Sequence, residues 1–155
     1  MLSDLKLLPA FEDLNDQYID LLKSLFEPFS FHPSSIVLQQ GAPADYLYLI
    51  LKGTVEISFK PHDGIPITIS HVEKSGWFGW SAIIGSEKYT SSALAIEELE
   101  TIRIHGNELR KLCMEQPEAG KVVLERLANN VSHRWKDTHH QVKSILAQGM
   151  KNQQY

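Results

Sequence analysis

The sequence holds a single cysteine, Cys113, among 155 residues. One thiol makes no internal disulfide, no cysteine-rich zinc site and no four-thiolate iron–sulfur centre within a chain; the expected compartment is a reducing cytoplasm. No stretch approaches the ~18 uninterrupted apolar residues of a membrane span. The opening MLSDLKLLPAFEDLND carries acids where a signal peptide needs a basic start and an apolar run, so neither secretion nor a membrane partner is expected. Basic charge is short as well. Fifteen Lys and Arg against nineteen Asp and Glu leave a net −4, which disfavours a bulk electrostatic grip on nucleic acid. The seven histidines include no His-x-His pair with a nearby glutamate. His133 and His140, seven apart on one helix, lie two turns from each other, too far for one metal ion within one chain, and His139 adds no ligand spacing. No Ser/His/Asp order, carboxylate dyad or Walker-type loop stands out. Catalytic residues, a metal and a required cofactor are therefore not expected.

What the chain does have is a change of period. Leu14, Tyr18, Leu21, Leu22, Leu25 and Phe26 recur at three and four, which predicts a helix within Phe11 to Phe26 with Asp13 or Asn15 as cap and Pro28 as its stop. Short alternating runs follow: Ser35 to Gln40, Tyr46 to Lys52, Thr54 to Lys60, Ile65 to Val72, Ser91 to Ile96 and Leu99 to His105. Gly41 to Asp45, Lys52-Gly53, Pro61-His62-Asp63-Gly64 and Gly106-Asn107 supply the turns between them. Many short strands close together predict a barrel or sandwich, and the run Tyr46 to Leu51, apolar on both faces, belongs in the middle of a sheet. Glu108 to Met114 returns to helical period, with Cys113 as a small core residue, and Pro117 opens a long helix.

That last helix differs from the body in charge. Residues 1–120 carry net −8 and residues 121–155 net +4, the latter from Lys121, Arg126, Arg134, Lys136, Lys143 and Lys151. Such a stripe suits an acidic partner, nucleic acid, or charge balance within or between subunits. Ala128, Val131, Trp135, Thr138, Val142 and Ile145 follow one another in alternating threes and fours, a coiled-coil seam. Val131, Trp135, Thr138, Val142 and Ile145 are the expected homodimer interface. The first two turns of the helix, with Leu124 and Leu127, are expected to pack on the barrel instead.

The run Ile36-Val37-Leu38-Gln39-Gln40-Gly41-Ala42-Pro43-Ala44-Asp45-Tyr46-Leu47-Tyr48-Leu49-Ile50-Leu51-Lys52-Gly53-Thr54-Val55-Glu56-Ile57 resembles the opening strands of the cyclic-nucleotide-binding domain family, the sensor module of catabolite-activator-type regulators. Gly76-Trp77-Phe78-Gly79-Trp80-Ser81-Ala82-Ile83 is similar to that family's phosphate-binding cassette. The resemblance implies a mainly β fold with flanking α elements: a double-stranded β-helix, or jelly-roll-like β-roll, with an N-terminal helix and a long C-terminal dimerisation helix. It divides the chain into a roll over 1–116, the long helix over 117–147 and a frayed tail over 148–155. It also implies a small ligand, a cyclic nucleotide or another, held by Phe78, Gly79, Trp80, Ser81, Ala82, Lys88, Thr90, Ser91 and Ser92.

Two of these positions depart from the family pattern. Trp80 stands where the family has the glutamate that accepts from the ribose, and Ser91 where it has the arginine that pairs with the cyclic phosphate. An indole offers a donor and no acceptor, and a serine carries no charge. Either the ligand is flatter and less anionic, stacked on the aromatic wall of Trp77, Phe78 and Trp80, or Trp80 fills the sugar's volume and the domain is a ligand-free dimerisation scaffold. Residues 148–155 leave no room for the helix-turn-helix domain that the family's transcription factors carry. The expectation is a regulatory sensor that does not itself read DNA and acts through an unidentified protein partner.

Overall fold

The computed structural model describes residues 5, 11–12, 14–84 and 87–126. Helix α1 spans Asp16–Leu25; Asn15 is its cap, its side chain accepting from the Tyr18 N–H at 3.0 Å, and Phe26 leaves the helix in extended backbone. Eight strands follow: β1 (Glu27–Phe31), β2 (Ile36–Leu38), β3 (Tyr46–Lys52), β4 (Val55–Phe59), β5 (Ile67–Val72), β6 (Trp77–Phe78), β7 (Ser92–Ala95) and β8 (Leu99–His105). The short α2 (Ser81–Ile84) interrupts them, α3 (Gly106–Glu115) succeeds them, and a further helix, α4, is described from 117 to 126.

The strands form two antiparallel four-stranded sheets, ordered β1-β8-β3-β6 and β2-β7-β4-β5. That is the expected β-roll with flanking helices. As its two-faced apolar pattern requires, β3 is flanked on both sides. Its residues divide between two cores. Leu47 and Leu49 face a helical cluster with Leu5, Phe11, Ile19, Leu22, Trp77, Leu109, Ala119 and Val123, while Tyr48 and Ile50 face the interior between the sheets with Leu38, Val55, Ile57, Phe78, Ala93 and Leu99. The period-two alternation of side chains is what lets one strand serve both.

Several expected boundaries shift, for local reasons. Pro28 lies beyond the end of α1, within β1, an edge strand, which is where sheets tolerate proline. Neither β1 nor β6 was among the expected strands, because a five-residue strand with proline and a two-residue strand give little periodic signal. Gly106-Asn107 is not a hairpin turn but the first turn of α3, capped by His105, whose Nδ1 accepts from the Asn107 N–H at 3.1 Å. Gly41 and Gly53 do adopt the positive φ that their turns need, 87° and 101°.

The start of the long helix corrects one expectation. Ala119 and Val123 are buried against the helical cluster and Val122 packs beside them, but Leu124 points outward, 38% exposed. Gly120 explains how closely the helix docks: a Cβ there would come within 2.7 Å of the Cys113 Cα on α3. Cys113 is accordingly half-buried at a helix crossing rather than in the core. The seam residues Val131, Trp135, Thr138, Val142 and Ile145, and the histidines at 133, 139 and 140, lie outside the described residues.

Candidate functional site

The cassette starts on β6. Phe78 is buried in the roll interior, its ring stacked on Tyr48 at 5.0 Å with only 7° between planes. Gly79 follows at φ 88°, with its α-carbon pressed so closely on β3 that a Cβ would sit 2.7 Å from the Tyr46 carbonyl oxygen. Only glycine meets both conditions without strain. Ser81 and Ala82, both buried, open α2: the Ala82 N–H donates to the Gly79 carbonyl at 3.2 Å and the Ile83 N–H to the Trp80 carbonyl at 2.9 Å. The Ala82 carbonyl accepts from Nη2 of Arg110 at 3.1 Å, which fastens α2 to α3.

Trp80 leaves this group. Its ring packs on the helical cluster, tilted against Trp77 with centroids 5.9 Å apart, and its buried Nε1 finds no hydrogen-bond partner. It therefore does not belong to the interior cluster that contains Phe78. The indole is not stacked on Phe78 as one aromatic wall. Trp77 too faces the helices, edge-on to Phe11 at 5.8 Å.

The far end of the cassette returns to the roll at β7. Lys88 and Thr90 are exposed, Lys88 bridged through its backbone to Pro43. Ser91 is half-buried and immediately precedes β7. On β7 itself Ala93 and Ala95 face the interior and Ser92, opposite Ser58, faces away. The Ser92 Oγ accepts from the Gln40 N–H at 2.9 Å. Phe78, Gly79, Ser81 and Ala82 at one end and Ser91 and Ser92 at the other are thus the parts of the expected site that the fold organises, and Lys88, Thr90 and Trp80 fall outside it.

Two side chains central to the arrangement give no family signal in the sequence. Tyr89, buried between the exposed Lys88 and Thr90, donates its hydroxyl to the Tyr46 carbonyl at 2.7 Å and accepts from the Tyr46 N–H at 2.9 Å. Its backbone meets the β2–β3 loop as well, its N–H donating to the Ala42 carbonyl and its carbonyl accepting from Gly41. Burial pushes the Tyr89 hydroxyl up to about 12, against the favourable bonds to the backbone. Arg103 on β8 is the other. Its guanidinium lies 3.9 Å from the ring centroids of both Phe29 and Tyr46, and its Nε donates to Glu27 Oε1 at 2.6 Å. Burial raises the neighbouring Tyr48 hydroxyl above the ordinary phenol value, with Arg103 opposing.

Chemically, the cassette presents backbone N–H groups at the start of α2 and the half-buried hydroxyl of Ser91, while the Ser92 hydroxyl lies on the other face of β7 against the Gln40 N–H. Neither of its organised parts carries a charged side chain. Among the described residues no group of three His, Cys, Asp or Glu could hold a metal ion, and no helix is long and apolar enough to cross a membrane.

The family model of the cyclic nucleotide-binding domain matches residues 28–116. The CRP-like cAMP-activated global transcriptional regulator of Mycobacterium tuberculosis is 28% identical over 121 residues, covering 78% of this chain and 54% of that protein; this chain spans about half the length of the curated relatives it matches. A crystal structure from Geobacter metallireducens superposes with a TM-score of 0.73 at 28% identity, covering 86% of this chain and 96% of that one. The regulatory subunit of a cAMP-independent protein kinase A from Trypanosoma cruzi, bound to guanosine, superposes with a TM-score of 0.68 at 19% identity, over 96% of this chain and 50% of that one. With more than half of its length matched by that model, on the fold and the cassette glycines just described, this chain belongs to the cyclic nucleotide-binding domain family.

Proposed function

We propose that the chain is a regulatory sensor module that works by binding rather than catalysis, and that its ligand is an uncharged, acceptor-rich small molecule of nucleoside type rather than a cyclic phosphate. The observation that carries this reading is the cassette itself. The guanidinium position is Ser91, the glutamate position is Trp80 turned into the helical cluster, and what remains are neutral donors. A charge-assisted bond to phosphate is worth roughly 1.5–3 kcal/mol, and none of the described residues at the two organised ends of the cassette supplies it. The Trypanosoma cruzi regulatory subunit, half of which superposes on this fold, is bound to guanosine, a molecule with no phosphate to neutralise.

The test is a comparison of adenosine, guanosine, cyclic AMP and cyclic GMP by thermal shift and calorimetry. A nucleoside binding at least as tightly as its cyclic phosphate is the expected result; a cyclic phosphate preferred by about tenfold, or 1.4 kcal/mol, would overturn it. No shift with any of the four would favour the scaffold reading, which has its own support: Tyr48, Phe78 and Tyr89 already occupy the interior between the sheets.

Assembly is part of the same reading. Leu124, exposed on α4, precedes Ala128, Val131 and Trp135 at the steps of four, three and four that the seam continues. Leu124 therefore keeps, in the sequence, the period of the expected seam, which suits a parallel pair of chains in the cytoplasm joined along it. The dimer would pass the ligand's effect to a separate protein partner.

A further inference from the structure

Gln40 stands at the junction of three segments. In the sheet β2-β7-β4-β5, strand β7 lies between β2 and β4, and Ser92 is its first residue. Gln40, two residues beyond the end of β2, donates its N–H to the Ser92 Oγ at 2.9 Å. Its side chain then reaches past the start of β7 to the residue after β4: the Lys60 N–H donates to Gln40 Oε1 at 2.8 Å, and Gln40 Nε2 donates to the Lys60 carbonyl at 2.9 Å. The primary amide thus imitates a strand residue, satisfying a backbone donor and a backbone acceptor at once. Only asparagine, one methylene shorter, carries the same amide pair of separate donor and acceptor atoms.

Beyond Lys60 the chain turns through Pro61, His62, Asp63 and Gly64, with Asp63 at φ 61° and the Gly64 N–H donating to the Pro61 carbonyl at 3.0 Å. Gln40, Lys60 and these four residues line an open, polar cavity of about 610 Å³. The turn is well exposed, as is Ile65 after it, at 81%. On the other side of Gln40, Gly41 and Ala42 are bonded to Tyr89, which stands in the cassette between Lys88 and Thr90.

We propose that Gln40 is the positioning residue that couples the end of the cassette, at Ser91 and Ser92, to the turn between β4 and β5, so that a ligand held at Ser91 is read out at residues 61–64. The proposal rests on the sensor reading above for its ligand, but the coupling is a property of the ligand-free protein. A displacement of Ser91 carries Ser92 with it along the backbone; Ser92 moves the Gln40 backbone through one hydrogen bond, and Gln40 moves the Lys60 backbone through two. The turn is the element free to respond, since one face of it is open to solvent.

Amide exchange and ¹⁵N chemical shifts on the full chain test this. In the absence of ligand, Ser92→Ala removes the acceptor of the Gln40 N–H, and the Lys60 amide, 32 residues away, is expected to exchange about tenfold faster. In the background of Gln40→Ala the same Ser92→Ala change is expected to leave Lys60 unaffected. Gln40→Glu, which keeps an acceptor for the Lys60 N–H and loses the donor to its carbonyl, is expected to restore part of the protection. Unchanged Lys60 exchange in Ser92→Ala, or an equal effect with and without Gln40, overturns the coupling. Thermal midpoints check that each variant is folded, and Gln40→Leu, of similar volume and without either amide group, serves if Gln40→Ala is not. Titration with adenosine is a separate arm: amide shifts at residues 62–64 in the wild type that vanish in Gln40→Ala, with binding retained, support the readout. Binding that leaves those residues unmoved in the wild type defeats it. If adenosine and guanosine do not bind at all, the nucleoside reading fails while the ligand-free arm still decides the coupling.

Discussion

Trp77→Phe is expected to cost far less than the burial of Trp77 suggests. The side chain is 3% exposed and touches Phe11, Phe26 and Trp80 at centroid distances of 5.8, 6.1 and 5.9 Å. Replacing the indole by a phenyl ring removes on the order of 40 Å³, which at about 24 cal/mol per Å³ of residual cavity is about 1 kcal/mol. The lost transfer free energy of the removed atoms adds about 1 kcal/mol more at about 25 cal/mol per Å². Against this stands Nε1, buried without a partner. An orphaned buried donor costs roughly 1–3 kcal/mol, and phenylalanine has none. The two effects offset each other to within about 1 kcal/mol, whereas Leu49→Ala, at the residue paired with Trp77 across β3 and β6, removes only packing and is expected to cost roughly 2–5 kcal/mol. Urea unfolding followed by far-ultraviolet circular dichroism gives both values and is unaffected by the loss of a tryptophan emitter. A loss in Trp77→Phe as large as that in Leu49→Ala would refute the argument, because it would mean that the indole N–H is satisfied in solution.

Gly79→Ala combines a positive φ with a Cβ 2.7 Å from the Tyr46 carbonyl, so a loss of about 2–4 kcal/mol is expected, with altered ¹⁵N shifts at Tyr46 and Ala82; a neutral variant would show that β6 does not press on β3. Tyr89, with its hydroxyl raised to about 12, binds its proton more tightly folded than unfolded. Its contribution is therefore complete below pH 10 and falls between pH 10 and 12, by at most about 1.4 kcal/mol per pH unit. The urea midpoint should decline above pH 10 less steeply in Tyr89→Phe than in the wild type, and equal slopes would count against the assignment. Trp135→Asp places a charge in the expected seam and should give monomers by sedimentation; an unchanged oligomer would reject the seam.

The central place of β3 was legible because it rests on period: the run Tyr46 to Leu51, apolar on both faces, belongs between two strands, and Gly41 and Gly53 mark turns that adopt a positive φ. The direction of Trp80 was not legible. Its neighbours in sequence belong to the cassette, and only the packed arrangement of α1, α3 and Trp77 shows that the indole finds more apolar surface on the helical side. Tyr89 and Gln40 escaped for a similar reason. Each acts by bonding to backbone 43 or 20 residues away, and backbone carries no sequence signature. Leu124 shows the converse, since an apolar residue near the start of a packed helix proved to lie on its outward face.

The nesting of the strand pairs bears on how the chain is made. Val55 pairs with Val72, enclosed by Tyr48 with Phe78, then by Ile36 with Leu94, and outermost by Glu27 with Arg103 across 76 residues. Loop closure over such spans is slow, and contacts of long sequence separation form late. During synthesis β1 emerges first yet has no partner until β8 has followed it out, so its edge, with the exposed Phe29, waits unpaired while the β4–β5 hairpin can already form. Proline at position 28, which removes one donor from that waiting edge, makes it a poorer template for a neighbouring chain on the same message.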